Sequence, residues 1–343
     1  MKKFYLIILL AFFAQLLNAQ DKSDKTNDFY DNDTTYTLGT PTIEIAGEIA
    51  NPGKVDFSNL PLRSEIVKEA NLNEKGDSVF KGAYRYDGYS LYDILNYTIL
   101  KKKNAKEYRP IIDLYVEIEN AKGEKVILSW GEIYYPVNRH KIIIATKVAR
   151  IVPSKSKDLW PLPTENKLVV STDLFSERNI SNPTKITIKS YACSIVANKE
   201  MNIEMKDKYS KEINILKNET SVDKITKYPT GLPENNYPSI FYGRGMGIHG
   251  ITDFKGVPLN KVLQKYITFN KSNIQKGIIV VVGKDGYRAV FTFSEIFNRN
   301  DFADVLLIDR SNDKSDGAFS VFAAADYFSD RAIKIISEIR LIE

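Results

Sequence analysis

The segment Gly88-Tyr-Ser-Leu-Tyr-Asp-Ile-Leu95 recurs later in the chain as Gly256-Val-Pro-Leu-Asn-Lys-Val-Leu263. In each copy a glycine precedes apolar residues spaced for one face of a short helix. Two more matches follow in the same order, because residues 123–133 resemble 286–296 and residues 173–178 resemble 326–331. Three matches in one order predict two tandem copies of a single domain.

Each copy alternates predicted strands with short predicted helices. Residues 42–49 alternate apolar and polar side chains, which is typical of a half-buried strand. Residues 278–282 are a continuous apolar run, and Lys284-Asp-Gly286 predicts a tight turn into the next strand. A helix is predicted to begin at Ser294. The alternation predicts an α+β fold class, with sheet and helix layers in both domains.

The first residues have the pattern of a secretory signal peptide. Lys2 and Lys3 precede an apolar run over residues 4–17, and the small Ala19 follows. That run is short for a membrane span, which needs ~20 residues. We therefore expect cleavage after residues 1–19, export to the periplasm or the medium, and no membrane span in the mature chain. Residues 20–40 are polar and predict a disordered lead-in, followed by domains at 41–191 and 192–343.

Composition narrows the possible partners. Among 343 residues, Lys and Arg number 48 and Asp and Glu 43, without a dense basic block, so no nucleic-acid partner is expected. The single cysteine, Cys193, excludes an internal disulfide framework. With only His140 and His249 as histidines, no metal site is predicted either.

Three segments of the second copy resemble the sulfite-oxidase-like molybdopterin-binding domain. Residues 254–263 match its W-x-G-V-x-L-x-x-L-L pattern, residues 280–291 contain its D-G-Y pattern, and residues 319–326 with Arg331 match its closing strand. The first copy carries a weaker version. The resemblance implies two tandem sulfite-oxidase-like domains of mixed sheet and helix.

In active members of that family a cysteine thiolate binds the molybdenum of a pterin cofactor, a soft ligand that suits the metal. Residues 239–252, which correspond to its loop, contain no cysteine. The resemblance therefore implies a catalytically degenerate protein without cofactor. If Cys193 replaced the missing ligand, the chain would instead be a molybdenum–pterin oxidoreductase. Cys193 also fits a small, buried apolar position.

Five residues around the lost metal position are candidate ligand-binding residues: Tyr242, Arg244, His249, Tyr287 and Arg288. An arginine fork suits a carboxylate, sulfate or phosphate. Arg244 fits a solvated surface position equally well, and Tyr287 and Arg288 fit a hairpin pair. The matched pairs Asp173–Arg178 and Asp326–Arg331 are predicted to be structural, because they occur in both copies.

Three functions stay open from the sequence. The chain is an exported protein that binds a small anion or a protein partner, a molybdenum–pterin oxidoreductase, or a structural module of the cell envelope. Whether it is an enzyme is left undecided. A pocket lined by Arg244, His249 and Arg288 would favour the first function, and a filled core there would favour the third.

Overall fold

The computed structural model describes residues 31–153, 155–193, 195, 211–245, 247–312 and 317–343. It is 46% strand and 10% helix, and the described strands form four sheets arranged as a four-bladed β-propeller. Two sheets belong to the first half of the chain, residues 31–190, and two to the second half, residues 211–343. The predicted signal peptide lies outside the described residues.

The first half builds two sheets from strands that alternate between them. The six-stranded sheet contains β1 (Asp31–Asn32), β2 (Tyr36–Thr37), β5 (Leu62–Leu72), β6 (Ser78–Ser90), β9 (Ile142–Val152) and β10 (Lys167–Val170). The five-stranded sheet contains β3 (Glu44–Gly47), β4 (Gly53–Lys54), β7 (Leu114–Asn120), β8 (Lys125–Ser129) and β11 (Pro183–Ser190). In the latter, β11 pairs in parallel with β3 and antiparallel with β7.

The second half repeats this plan. Its five-stranded sheet contains β12 (Ile213–Lys217), β13 (Thr220–Ile225), β16 (Ile278–Gly283), β17 (Arg288–Thr292) and β20 (Ile336–Ile342). Its four-stranded sheet contains β14 (Asn235–Gly243), β15 (Gly247–Pro258), β18 (Val305–Asp309) and β19 (Phe319–Ala323). The last strand, β20, again pairs in parallel with β12 and antiparallel with β16. The two halves therefore share one order of strands.

The described helices are one turn or slightly longer: α1 (Leu91–Leu95), α2 (Trp130–Tyr134), α3 (Leu259–Leu263), α4 (Lys271–Lys276), α5 (Phe293–Phe297) and a 3₁₀ turn at Ser329–Arg331. The matched glycine segments do bury their apolar residues on α1 and α3. The prediction of an α+β fold is nevertheless wrong, because these helices join strands and form no layer of their own. Three apolar residues at helical spacing define one turn and say nothing about its continuation. Among the described helices, none is long and apolar enough to cross a membrane.

The resemblance to the sulfite-oxidase-like molybdopterin-binding domain is also wrong, since the nearly all-β architecture is not the fold of that family. The motifs that suggested it lie at local features. Residues 254–263 span the end of β15 and α3, and Asp285-Gly286 forms the turn between β16 and β17. Such turns need glycine for local reasons in many folds, so the motifs are less specific than their order suggested. The expectations of oxidoreductase chemistry and of a molybdenum–pterin cofactor lose the resemblance on which they depended.

Part of the predicted disordered lead-in is ordered. β1 and β2 both pair with β9, and Leu38 is buried beside them. A polar segment can still be held by backbone hydrogen bonds at a strand edge, which composition does not reveal. Residues 20–30 lie outside the described residues, and the domain limits 41–191 and 192–343 stay a prediction.

Candidate functional site

Two buried arginines lie where the halves meet, each between two carboxylates. Arg178 is 1% exposed and donates to Asp173 at 2.8 and 2.7 Å and to Glu132 at 2.9 and 3.0 Å. Arg331 donates to Asp326 at 2.7 Å through two nitrogens and to Glu295 at 2.7 Å. The structure thus places both matched pairs in buried networks and adds a glutamate to each.

The two glutamates belong to helix caps that sequence reasoning missed. Ser129 precedes α2 and forms a capping box with Glu132, and Thr292 precedes α5 and forms one with Glu295. The pattern Ser/Thr-x-x-Glu is visible in the sequence at both places, so this signal was available. It would have located the carboxylates that partner the arginines.

The caps also join the two halves. Arg178 of the first half lies 3.3 Å from the Thr292 hydroxyl, and Arg331 of the second half lies 3.3 Å from the Ser129 hydroxyl. Two backbone hydrogen bonds near these caps also join the halves in the same reciprocal way. Leu174 N–H donates to Asn298 O, and Tyr327 N–H donates to Tyr135 O, both at 2.7 Å. The interface between the halves therefore has approximate two-fold symmetry.

The networks hold more acids than bases, which affects their protonation. Four carboxyl groups surround two guanidinium groups. Burial raises the pKa of Glu132 to about 7, and the negative charge of Glu295 adds to the rise. Burial likewise raises the pKa of Asp173 and of Asp326, against the opposing pull of their arginines. Glu132 can therefore exchange a proton near neutral pH, although among the described residues its two oxygens bond only to groups of the network.

A cleft of about 640 Å³ lies beside the Arg178 network and takes walls from both halves. We call it the interface cleft. Its lining includes Glu65, Ile66 and Lys68 of β5, residues 136–139, 141 and 142, residues 171–174, Arg178, Ser294 and Glu295, Arg299, Asn300, Asp301 and Ala303, and Ala324 and Ala325. Arg178, Asp173 and Glu132 form part of its wall, so the buried network supports the cleft directly.

The charged residues of the interface cleft are unevenly paired. Glu65 binds Lys141 at 2.9 Å, Asp301 binds Arg299, and the remaining acids are held by Arg178 and Arg331. By contrast, Lys68 has no hydrogen bond or ion pair from its side chain to any described residue, and Arg139 contacts only Tyr92 with its side chain. The two cations are exposed to solvent. Lys68 and Arg139 therefore have no carboxylate partner among the described residues, although the lining as a whole carries equal numbers of acidic and basic side chains.

Apolar side chains lie on the same walls. Ile66, Val137 and Leu174 are 49%, 76% and 50% exposed. Exposed apolar side chains in a polar cleft mark a place where a ligand or partner can remove them from water. The interface cleft thus combines cationic and apolar surface.

The sequence-derived candidates lie elsewhere. Tyr242 and Arg244 use their backbone N–H groups to reach Ser329 Oγ at 3.2 Å and Asp330 Oδ2 at 3.3 Å. Tyr287 donates to Asp330 O at 3.0 Å, so the three residues gather around the 3₁₀ turn. Burial raises the pKa of Tyr287. Arg244 is exposed there, and its guanidinium makes no hydrogen bond or ion pair with the described residues.

Of the other two candidates, His249 lies beside Gly243 and so near that group, whereas Arg288 is buried apart from it. His249 is exposed on β15, with its ring 5.4 Å from that of Phe241. Arg288 is fully buried against the first half, 4.2 Å from the ring of Tyr108 and 3.6 Å from Asp113. Tyr287 also contacts Tyr108, with ring centroids 5.9 Å apart, but only Arg288 reaches Asp113. Arg244 and His249 are therefore exposed at the same β14–β15 hairpin, whereas Arg288 is buried, so the three residues do not share one exposed surface.

Cys193 is partly buried and packs against an apolar cluster that includes Tyr191, Ile278 and Val280. Within the described part of the chain, no group of three or more His, Cys, Asp or Glu side chains is placed to hold a metal ion.

The sequence matches no protein-family model, and a search of curated proteins finds no significant match. Function must therefore be inferred from the chemistry of the interface cleft.

Proposed function

We propose that this protein binds a small organic anion in the interface cleft. The observation that carries the proposal is the uneven pairing of charge, since Lys68 and Arg139 face the cleft without a carboxylate while every acid in its lining has a basic partner. A bound anion would supply the missing partner. Lys and Arg together suit a carboxylate, a phosphate ester or a sulfate ester.

The size and the apolar walls narrow the ligand class further. A volume of about 640 Å³ lies in the range of small-molecule sites. Ile66, Val137 and Leu174 would pack against a carbon body, which inorganic anions lack. We therefore favour an amphipathic anion, with its acidic group at the two cations and its apolar part along these side chains.

Such a ligand would contact both halves at once, and its binding should stabilise the interface. If the predicted signal peptide is used, binding takes place outside the cytoplasm. The protein would then act as a receptor or carrier for its ligand.

The first experiment compares three probes of equal chain length on the chain without residues 1–19. Octanoate and octyl phosphate are expected to raise the Tm, because ligand at a hundredfold excess over Kd stabilises by about 2.7 kcal/mol. Octylamine should have no comparable effect, since its charge opposes Lys68 and Arg139. Equal stabilisation by octylamine would contradict the proposal.

Two variants then test the site itself. The double substitution Lys68→Ala with Arg139→Ala should weaken octanoate binding at least tenfold, and Lys261→Ala, an exposed lysine on α3, should not. Leu174→Tyr should also block binding by filling the cleft, with little loss of stability because Leu174 is half exposed. Unchanged affinity in both the double variant and Leu174→Tyr would place the anion elsewhere.

A further inference from the structure

The segment that follows α1 presents a regular row of exposed side chains. Over residues 97–104 exposed side chains alternate with more buried ones, and the exposed ones are Tyr97, Ile99, Lys101 and Lys103. We call these four residues the exposed strip. Tyr97 and Ile99 are 68% and 63% exposed. Two side chains with apolar surface therefore lie beside two cations along one segment.

The other side of the segment holds it in place. Leu100 forms an antiparallel bridge with Ile49, and the Lys102 ammonium binds Asp113 at 2.7 Å. Two backbone N–H groups of the segment also donate to oxygens of Glu48, both at 2.8 Å. Because these contacts fix the backbone, the exposed strip is a defined part of the surface.

The second half covers the corresponding isoleucine. Ile267 lies four residues after the end of α3, as Ile99 lies four residues after the end of α1, yet Ile267 is only 5% exposed. The edge strand β13 reaches this segment, since its Asp223 binds Lys265 at 3.0 Å. The corresponding edge strand of the first half, β4, has only two residues. The exposed isoleucine is therefore a feature of the first half.

The residues that follow add positive charge. Lys106 and Arg109 are exposed, and like Lys101 and Lys103 they make no ion pair or hydrogen bond from their side chains to the described residues. Glu107 is the one acidic residue in the sequence from position 96 to position 110. Four unpaired basic side chains beside one acid attract an anionic partner.

We propose that the exposed strip attaches the protein to the surface of a lipid bilayer that contains anionic headgroups. Each Lys or Arg near such a surface raises the partition coefficient about fivefold. Tyrosine is favoured at the boundary between headgroups and acyl chains, because its ring is apolar and its hydroxyl is polar. Ile99 would leave water at the same boundary. A soluble polyanion would pair with the cations but give Ile99 no apolar contact, so the isoleucine favours lipid.

Sedimentation with lipid vesicles tests the proposal on the chain without residues 1–19, because the apolar run over residues 4–17 would itself favour lipid. We expect binding to phosphatidylcholine vesicles that contain about 30% phosphatidylglycerol, and weaker binding in about 0.5 M than in about 0.1 M NaCl. Vesicles of phosphatidylcholine alone should bind little protein. Absence of binding to the anionic vesicles, or equal binding to both compositions, would overturn the proposal.

A pair of lysine substitutions tests the contribution of charge. Lys101→Ala with Lys103→Ala should weaken binding to the anionic vesicles about 25-fold, since each lysine contributes about fivefold. The control is Lys227→Ala with Lys261→Ala, at two exposed lysines of the second half, and it should bind as the wild type does. Wild-type affinity in the Lys101 and Lys103 variant would contradict the placement of the surface.

A second pair tests the apolar contact. Tyr97→Ser with Ile99→Ser should weaken binding at least about tenfold, with an unchanged unfolding midpoint because both side chains are exposed. Ile248→Ser with Ile251→Ser, at exposed isoleucines of β15, should not weaken it. Full binding by the Tyr97 and Ile99 variant would mean that charge alone is recognised, as in a soluble polyanion, and would overturn the lipid assignment. The lining of the interface cleft contains none of the exposed strip, so octanoate binding and vesicle binding can fail separately.

Discussion

The Arg178 and Arg331 sides of the interface contain nearly the same ionic network but differ in the side chains around it. Residues near Arg178 are small, polar or aliphatic at positions where residues near Arg331 are aromatic: Ala70, Leu174 and Asn298 correspond to Tyr242, Tyr327 and Tyr135. Two of these aromatic rings pack on one another, with Tyr242 and Tyr327 centroids 6.0 Å apart. The interface cleft lies on the side without them. The networks therefore provide the common structure, and their surroundings determine which side can bind a ligand.

The largest effect expected from this comparison follows removal of either arginine. Arg178→Leu leaves Glu132 and Asp173 buried without their cation, and Arg331→Leu does the same to Glu295 and Asp326. Breaking a buried ion pair in this way typically costs about 3–5 kcal/mol. Urea unfolding should show a similar loss for both variants, and little change for Arg109→Leu at the surface. A loss below 1 kcal/mol in only one variant would show that the networks are not equivalent.

A smaller effect concerns pH. The pKa of Glu132 is about 7 in the folded chain, above the ordinary value of 4.5, so the folded state binds the proton more tightly. Stability from this group is present at low pH and is lost as pH rises from about 4.5 to 7, with a slope of at most about 1.4 kcal/mol per pH unit. The raised pKa values of Asp173 and Asp326 act in the same direction.

Urea midpoints at pH 5, 6, 7 and 8 measure this slope. Glu132→Gln should flatten it, because the variant has no proton to lose, and Glu74→Gln at the surface should leave it as in the wild type. A slope that persists in Glu132→Gln would assign the linkage to other groups.

The smallest effect is expected at Tyr135, which corresponds to Asn298 on the other side of the interface. The Tyr135 hydroxyl is buried and has no hydrogen-bond partner among the described residues. Tyr135→Phe should therefore change the free energy of unfolding by no more than about 0.5 kcal/mol. Asn298 makes two hydrogen bonds with the backbone of Phe175, at 2.8 and 2.9 Å, and Asn298→Ala should cost about 2 kcal/mol. Equal losses would mean that Tyr135 has a partner in solution.

Individual strands and turns could be predicted from the sequence, but the fold class of the protein could not. The apolar run at residues 278–282 is a fully buried strand, and the turn at Asp285-Gly286 forms as predicted. The error arose at residues 88–95 and 256–263. Their helical spacing predicted helices that would form a layer, whereas each segment forms a single helical turn. Local periodicity cannot show how long an element is when its ends are decided by packing of the next strand.

The candidate site was harder to predict, for a similar reason. Asp173, Arg178, Asp326 and Arg331 could be paired because each pair is close in sequence and occurs twice. Lys68 and Arg139 come from separate strands and connections and carry no motif, so only the fold brings them to one cleft. Arg244, His249 and Arg288 were grouped through the resemblance to the sulfite-oxidase-like domain, and the fold removes that reason for placing them together.

The exchanged contacts between Arg178, Thr292, Arg331 and Ser129 have a consequence for the history of the chain. Each half supplies both members of the exchange, an arginine and a capped helix, to the other half. A single half could therefore have built this interface with an identical copy of itself, as symmetric homodimers do. Fusion of two such copies would free each one to change independently, and aromatic residues on one side alone are a difference that a symmetric ancestor could not have had.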